Sequence, residues 1–221
     1  MNESFEKTKI AGSIAAGALD EVHNLVKPGI STLEIDKLCY QYINDHKAFS
    51  APLYYRGYPK SCCTSANHVV CHGIPSEKIL NDGDIINVDV TAIKDGWHGD
   101  TSRMFVVGEC SVKAKKLIKT TYEAMMKAIK IIKANIKIGD IGFIIQNSVE
   151  AEGFSVVRDF CGHGIGKKFH ESPNVLHYGE KNSGKELKAG MIFTVEPMIN
   201  SGKFETKTLK DGWTAVTKDK S

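Results

Sequence analysis

Two aspartates, Asp89 and Asp100, stand on stretches that the sequence predicts to be the two strands of one hairpin. Around Asp89, polar and apolar residues alternate, and this period of two predicts a strand with one apolar face. Asp95-Gly96 is a strong two-residue turn signal, because both central positions of such a turn need positive φ. With that turn, Asp89 pairs with Ser102, and Asp100 lies diagonally across on the same face. Diagonal neighbours are roughly 7–8 Å apart, within reach of one shared cation.

Two carboxylates on one half-buried strand face are costly unless something neutralises them. Like charges at close range repel each other, and partial burial removes hydrating water from both groups. A bound metal ion would remove both costs. The alternative is a solvated outer face, since carboxylates are mostly exposed in proteins. A longer loop would also place the two aspartates on opposite faces.

The second half of the chain echoes the first half in the order of its elements. Each half is predicted to contain a helix, a Lys-x-Gly stop, a helix, a His-Gly pair and a strand. The sharpest match joins Gly83-x-Ile85-x-x-Val88-Asp89 to Gly190-x-Ile192-x-x-Val195-Glu196. We therefore predict a strand over Met191–Ile199 and two duplicated αβ halves, about 1–108 and 109–221, around a pseudo-twofold axis. Chance similarity between two glycine-to-strand junctions is the alternative.

A histidine joins the acidic residues as a candidate ligand. His163 lies in the glycine-rich stretch Cys161–Gly166, which we predict to be irregular and open enough for close approach of a metal. Three carboxylates and one imidazole are a donor set that fits a site for two fairly hard divalent ions better than it fits a thiolate zinc site. Two such ions can activate water and stabilise the oxyanion formed at a carbonyl. A lone loop histidine is more often a surface residue, which is the alternative here.

The composition is that of an ordinary globular protein and excludes several classes. The chain has 221 residues, of which 42% are hydrophobic and 25% charged, enough for one domain with a sizeable core. A net charge of +3 is too small to indicate specific nucleic-acid binding, although it permits contact with an acidic surface such as the ribosome. Six cysteines lack CxxC spacing, and no stretch resembles a membrane span or a secretion signal. We expect a cytoplasmic monomer with reduced thiols and no membrane partner.

Six stretches carry a resemblance to a known family: Tyr58–Ser61, Val69–Pro75, Asn87–Thr91, Asp95–Thr101, Gly162–Gly166 and Phe193–Met198. These motifs cover nearly the whole chain. In them, the chain resembles the type I methionine aminopeptidases of bacterial kind. The resemblance implies an α/β (α+β) pita-bread fold of the creatinase/aminopeptidase type, in which two duplicated αβ halves share a central antiparallel sheet. It implies one metallopeptidase domain over residues 1–221, a hydrolase that removes the N-terminal methionine of newly made proteins.

The resemblance also implies a role for each candidate site residue. The expected ligands of two divalent ions, such as Co²⁺, Mn²⁺ or Fe²⁺, are Asp89, Asp100, His163 and Glu196. Contacts to the scissile peptide and its tetrahedral intermediate are expected from His72 and His170, and proton transfer from Glu196. The expected methionine pocket consists of Tyr55, Tyr58, Cys63, Phe169 and Trp213. Aromatic walls and a polarizable thiol suit a thioether, although each aromatic alone would be assigned to core packing.

The chain departs from the family pattern at its end. A fifth ligand, a glutamate on a strand beyond the last Asp-Gly-Trp turn, has no match before Ser221. We therefore expect either a fragment of an active enzyme or a naturally truncated protein that binds metal weakly. Two alternatives to methionine removal stay open: a proline-specific peptidase of the same fold, and a catalytically impaired binding module that docks on ribosomes or RNA.

Overall fold

The computed structural model describes residues 3–221, so Met1 and Asn2 of the predicted domain lie outside the described residues. The chain forms two compact units. The first contains the described residues up to Ser111 together with Gly166–Phe169 and Thr208–Ala215, and the second contains Val112–Ile165, His170–Lys207 and Val216–Ser221. The prediction of one domain over 1–221 stays a prediction.

The first unit begins with two helices, α1 (Glu3–Leu25) and α2 (Thr32–Asp45). A small-residue stripe on α1, with Ala11, Ala15 and Ala18 fully buried, allows this helix to pack closely on the sheet. A capping box precedes α2: Ser31 Oγ accepts the Glu34 N–H, and Glu34 Oε2 accepts the Ser31 N–H. These two hydrogen bonds satisfy main-chain donors that the first turn of a helix leaves unpaired.

The strands of the first unit include one long hairpin, which the last two of them form. They are β1 (Phe49–Ser50), β2 (Cys63–Ala66), β3 (Val69–Cys71), β4 (Ile85–Lys94) and β5 (Trp97–Val106). Strand β4 pairs antiparallel with β1, β2 and β5, and a short 3₁₀ turn spans Tyr55–Gly57. The inward side chains of β4, Ile86, Val88, Val90 and Ala92, are fully buried in a core shared with α1 and α2. The sheet therefore has one apolar face and one polar face, as the alternation in the sequence predicts.

The second unit packs two helices, α3 (Val112–Lys130) and α4 (Gly139–Glu150), around its own core. Its strands are short: β6 (Ser155–Val156), β7 (Gly162–Gly164), β8 (Glu171–Val175) and β9 (Ile199–Asn200). Strand β7 pairs with β8, and β6 pairs with β9. Two further strands, β10 (Thr206–Thr208) and β11 (Ala215–Thr217), follow along the chain.

Two secondary-structure predictions for the second unit are wrong. Cys161–Gly166 is not irregular throughout, because its centre forms β7. The strand predicted over Met191–Ile199 is absent, apart from one bridge between Phe193 and Gly164 and the start of β9. Hydrogen bonding explains the difference: the Glu196 N–H donates to the His177 ring instead of to a strand, and Pro197 has no N–H to donate.

Among residues 3–221, no helix combines the length and the apolar character that crossing a membrane requires.

Close packing of α1 on β5 makes Gly99 a position where a side chain is not tolerated. A Cβ built at Gly99 would overlap the backbone of Ala11 and Gly12. We expect Gly99→Ala to lower the free energy of unfolding by about 3 kcal/mol, because rigid helix backbone cannot move aside easily. Gly12→Ala is the matched control, since a Cβ there meets nothing within 4 Å. Urea unfolding should show this control unchanged or stabilised by up to about 1 kcal/mol. Equal stability of the two variants would contradict the close packing.

Candidate metal centre and substrate pocket

The carboxylate hairpin of the first unit has the predicted register. Asp95 and Gly96 form the turn with φ of 50° and 77°. Asp89 pairs with Ser102, and Asp100 pairs with Thr91, so the two aspartates are diagonal neighbours on one face. Both are half-buried. The structure therefore confirms that β4 and β5 present two acidic oxygen donors to the same side of the sheet, an arrangement that suits a hard divalent cation.

Cys63 lies beside the first of these carboxylates as a neutral thiol. It is the β2 residue directly opposite Asp89 on β4. Burial, and then the negative charge of Asp89, raise the pKa of the Cys63 thiol well above its usual range. Asp36 on α2 fixes Ser61, two positions before Cys63. Its carboxylate accepts the Ser61 N–H at 2.8 Å and the Ser61 hydroxyl at 2.6 Å. Cys63 is thus a fixed, polarizable wall and not a nucleophile.

The predicted aromatic pocket residues of the first unit form two contacting pairs. The rings of Tyr55 and Phe169 lie 5.0 Å apart, and the rings of Tyr58 and Trp213 meet edge-on at 5.2 Å. The buried Tyr58 hydroxyl lies 3.0 Å from the carbonyl oxygens of both Cys62 and Gly73 and donates to them. Burial raises the pKa of Tyr58 far above its usual range, so this ring stays neutral. Such fixed rings can enclose an apolar side chain.

His72 stands next to the Tyr58–Trp213 pair in an unusual main-chain conformation. Its φ is 55°, and its ring lies 6.4 Å from the Trp213 ring. Close contact of the next residue with β2 holds this conformation, since the Thr64 N–H donates to the Gly73 carbonyl at 2.8 Å. Burial lowers the pKa of His72. The imidazole is therefore neutral near pH 7 and can donate from one nitrogen and accept at the other.

His98 holds Phe169 in place, and sequence reasoning missed it. The His98 ring stacks on the Phe169 ring at 5.7 Å with 17° between the planes. Its main-chain N–H and its Nδ1 both contact the carbonyl oxygen of Gly166, at 2.8 and 3.0 Å. Because these partners are 68 residues apart in the chain, no local pattern in the sequence could have indicated the contact.

In the second unit, the side chains of His163 and Glu196 face each other. His163 Nδ1 lies 3.0 Å from the Gly164 carbonyl oxygen, which can only accept, so Nδ1 carries the proton. This contact leaves Nε2 directed at Glu196 Oε1, which lies 3.5 Å away. The nitrogen of a neutral imidazole and a carboxylate oxygen at this distance can bind one cation together. This donor set therefore fits a divalent metal ion.

Thr194 fixes both members of this pair. Its hydroxyl accepts the main-chain N–H of His163 at 2.9 Å and donates to Glu196 Oε1 at 2.6 Å. The Glu196 carboxylate therefore has one oxygen oriented by a neutral donor. His170, the other predicted catalytic histidine, lies with its ring 4.2 Å from the ring of His163. The second unit thus brings together all three of its predicted site residues.

His177 is a second residue that sequence reasoning missed. It is only 1% exposed, and its Nε2 accepts the main-chain N–H of Glu196 at 3.1 Å. Burial lowers the pKa of His177 to about 4, so the imidazole is neutral. Nearby, burial and then the charge of Glu196 raise the pKa of the Cys161 thiol, which therefore stays protonated. His177 is identified by its closeness in space to the Phe193–Met198 motif. The sequence does not show this closeness.

Comparison with known proteins places the chain among peptidases. The model of metallopeptidase family M24 matches residues 6–217. A methionine aminopeptidase from Escherichia coli (strain K12) is 54% identical over 221 residues, which cover 99% of this chain and 84% of that protein. The crystal structure of methionine aminopeptidase from Rickettsia prowazekii matches with a TM-score of 0.98 at 52% identity, covering 100% of this chain and 89% of the other.

A more distant match concerns the fold alone. An Xaa-Pro dipeptidase from Bacillus anthracis matches with a TM-score of 0.78 at 23% identity, covering 98% of this chain and 57% of the other. Together with the close matches and the antiparallel sheets of the structure, this likeness confirms the predicted α/β pita-bread fold.

The Thr194 hydroxyl gives a direct test of how the His163–Glu196 pair is held. Thr194→Val removes the hydroxyl and leaves the His163 N–H without its acceptor. We expect the free energy of unfolding, measured in urea with a chelator present, to fall by about 1–3 kcal/mol. Thr194→Ser keeps the hydroxyl and should lose no more than about 0.8 kcal/mol for the missing methyl group. Valine and serine variants of equal stability would show that these hydrogen bonds contribute nothing.

Proposed function

The chain belongs to metallopeptidase family M24, and from that premise we propose that it removes the N-terminal methionine of polypeptides by hydrolysing the first peptide bond. The observation that carries this proposal is 54% identity over 221 residues to a protein named methionine aminopeptidase. The substrates we propose are the N-termini of newly made proteins. Contact with the ribosome, a monomeric state and a cytoplasmic location stay predictions.

Membership of a metallopeptidase family makes a divalent metal the cofactor. We propose that two ions bind and that their ligands are Asp89, Asp100, His163 and Glu196. Support comes from the shared strand face of the two aspartates and from His163 Nε2, which faces Glu196 Oε1 at 3.5 Å. Carboxylate and imidazole donors without thiolate favour Mn²⁺, Fe²⁺ or Co²⁺. When bound, such ions supply Lewis acidity and lower the pKa of water.

The side chains of the second unit are suited to moving a proton. Glu196 Oε1 already accepts the Thr194 hydroxyl, which steadies the carboxylate for accepting a proton from water and returning it to the leaving amine. His170, whose ring lies against that of His163, is proposed to contact the scissile peptide. In the first unit, His72 is proposed to donate a hydrogen bond to the same peptide as a neutral imidazole.

The first unit is proposed to bind the methionine side chain. The pocket we propose is formed by Tyr55, Tyr58, Cys63, Phe169 and Trp213. Its rings are fixed by each other, by the Tyr58 hydroxyl and by the stacking of His98 on Phe169. Fixed aromatic walls and a neutral thiol contact a thioether without ordering cost at the moment of binding.

Removing one proposed ligand tests the metal role. Asp100→Asn keeps the size of the side chain and removes its charge. We expect Mn²⁺ affinity and the kcat/KM for a Met-Ala-Ser peptide to fall by more than about 100-fold, because even outer partners of ligands contribute about 10–100-fold. Asp95→Asn is the matched control on the same hairpin, since asparagine tolerates the positive φ of that turn. Calorimetry with Mn²⁺ and peptide assays check both variants.

The same assays separate the alternatives. Cleavage of Met-Pro or other X-Pro peptides in preference to Met-Ala-Ser would favour the proline-specific peptidase. Wild-type protein without a Mn²⁺ site tighter than millimolar would favour the impaired binding module. Asp100→Asn with unchanged affinity and unchanged kcat/KM would contradict the proposed ligand.

Truncating a pocket wall tests the proposed specificity. Phe169→Ala should lower kcat/KM for Met-Ala-Ser by about 5–150-fold, because one lost apolar contact of this kind is worth about 1–3 kcal/mol. Phe143→Ala on α4 is the control, since that ring is 37% exposed and lies in the other unit. The pocket assignment fails if both variants cleave the peptide as the wild type does.

A further inference from the structure

Given the proposed ligand role of Glu196, we infer that His177 is a positioning residue, which fixes the main chain of Glu196 through Nε2 and so sets the carboxylate opposite His163. No ligand, proton transfer or substrate contact is assigned to His177 itself. Its effect on metal binding passes through Glu196.

The hydrogen bond to Glu196 requires one particular tautomer of His177. The Glu196 N–H points at Nε2 from 3.1 Å, so Nε2 must offer a lone pair and Nδ1 must carry the proton. With 1% of its surface exposed, His177 is shielded from bulk solvent, which cannot take over the hydrogen bond. The ring is therefore the acceptor for the main chain of a proposed ligand.

The other ring nitrogen shows that His177 does more than fill space. Within residues 3–221, the buried Nδ1 of His177 has no hydrogen-bond partner. A buried N–H without an acceptor costs stability, and an apolar side chain of similar size would avoid that cost. An apolar side chain would, however, leave the Glu196 N–H without its acceptor. The imidazole therefore leaves its own Nδ1–H without an acceptor, while its Nε2 accepts the main-chain N–H of Glu196.

The main chain around Glu196 lacks the regular pairing that would otherwise fix it. Before it, the Thr194 N–H donates to the His163 carbonyl oxygen, and after it, the Val157 N–H donates to the Met198 carbonyl oxygen. Between these two bonds, Pro197 offers no N–H. The hydrogen bond that the Glu196 N–H donates to His177 Nε2 lies between them and anchors the middle of this segment.

One hairpin then controls both sides of the proposed metal-binding gap. His163 lies on β7, which pairs with β8, and His177 follows two residues after β8 ends. The β7–β8 hairpin therefore carries His163 directly and holds Glu196 through the His177 ring. Displacement of the Glu196 main chain would change the 3.5 Å separation between His163 Nε2 and Glu196 Oε1.

Three variants of the full chain test this inference. His177→Leu removes the acceptor, His177→Gln keeps an acceptor oxygen near the position of Nε2, and Val175→Ala loosens the same hairpin by truncating a fully buried side chain. We expect His177→Leu to weaken Mn²⁺ binding to the metal-free protein about 10–100-fold, as loss of an outer partner does. His177→Gln and Val175→Ala should stay within about threefold of the wild type. Urea unfolding with a chelator present shows that each variant is folded.

Kinetics and spectroscopy add readouts that a merely structural role would not move. With saturating Mn²⁺ and a Met-Ala-Ser peptide, His177→Leu should lower kcat while KM stays within about twofold, because the reacting carboxylate and not the pocket is displaced. In the wild-type protein, the ¹⁵N chemical shift of His177 Nε2 should be that of an unprotonated ring nitrogen. A protonated Nε2 overturns the inference even if no variant folds.

The remaining outcomes separate this inference from the proposed function. Wild-type Mn²⁺ affinity in His177→Leu overturns the inference, and so does equal weakening by Val175→Ala or by His177→Gln. Glu196→Gln serves as the reference: if it binds Mn²⁺ as the wild type does, the proposed ligand role of Glu196 is itself wrong. Weak binding in Glu196→Gln together with normal binding in His177→Leu contradicts the positioning role alone.

Discussion

An imidazole nitrogen facing a carboxylate oxygen is the constraint on which the second unit depends. His163 Nε2 and Glu196 Oε1 lie 3.5 Å apart, and the hydrogen bond from Nδ1 to the Gly164 carbonyl orients the ring. Both atoms are of the kinds that bind divalent cations. The surrounding hydrogen bonds that involve Thr194 and His177 hold the pair in place.

The first unit also brings possible metal ligands together, and there a β-hairpin positions them. Its two acidic donors, Asp89 and Asp100, are fixed by the register of one hairpin, and that register is set by the Asp95-Gly96 turn. Because β4 is buried on its other face against α1 and α2, a slip of one residue would expose its apolar side chains. Burial of the core thus specifies where the carboxylates point. In both units, groups that are costly when unpartnered are held by the parts of the fold that are hardest to move.

Interactions between residues close in the sequence allowed parts of the fold and of the candidate site to be predicted. The alternation around Asp89 and the turn at Asp95-Gly96 each depend on residues a few positions apart, and both are confirmed. The family and the fold followed from motifs along most of the chain. The strand predicted over Met191–Ile199 was wrong, because an imidazole from elsewhere in the chain takes the Glu196 N–H.

Long-range contacts account for what the sequence did not show. His98 binds Gly166 across 68 residues, and His177 binds Glu196 across 19 residues. His98 lies in the Asp95–Thr101 motif but had no role assigned from it, and His177 lies in none of the quoted motifs. The aromatic pairs Tyr55–Phe169 and Tyr58–Trp213 are likewise defined by tertiary packing, so only the family resemblance indicated a pocket.

Anomalous diffraction from a crystal soaked in Mn²⁺ tests the central claim most directly. We expect a manganese peak about 2.0–2.2 Å from both His163 Nε2 and Glu196 Oε1. A crystal with manganese bound elsewhere, and these two atoms facing each other with no metal between them, would contradict it.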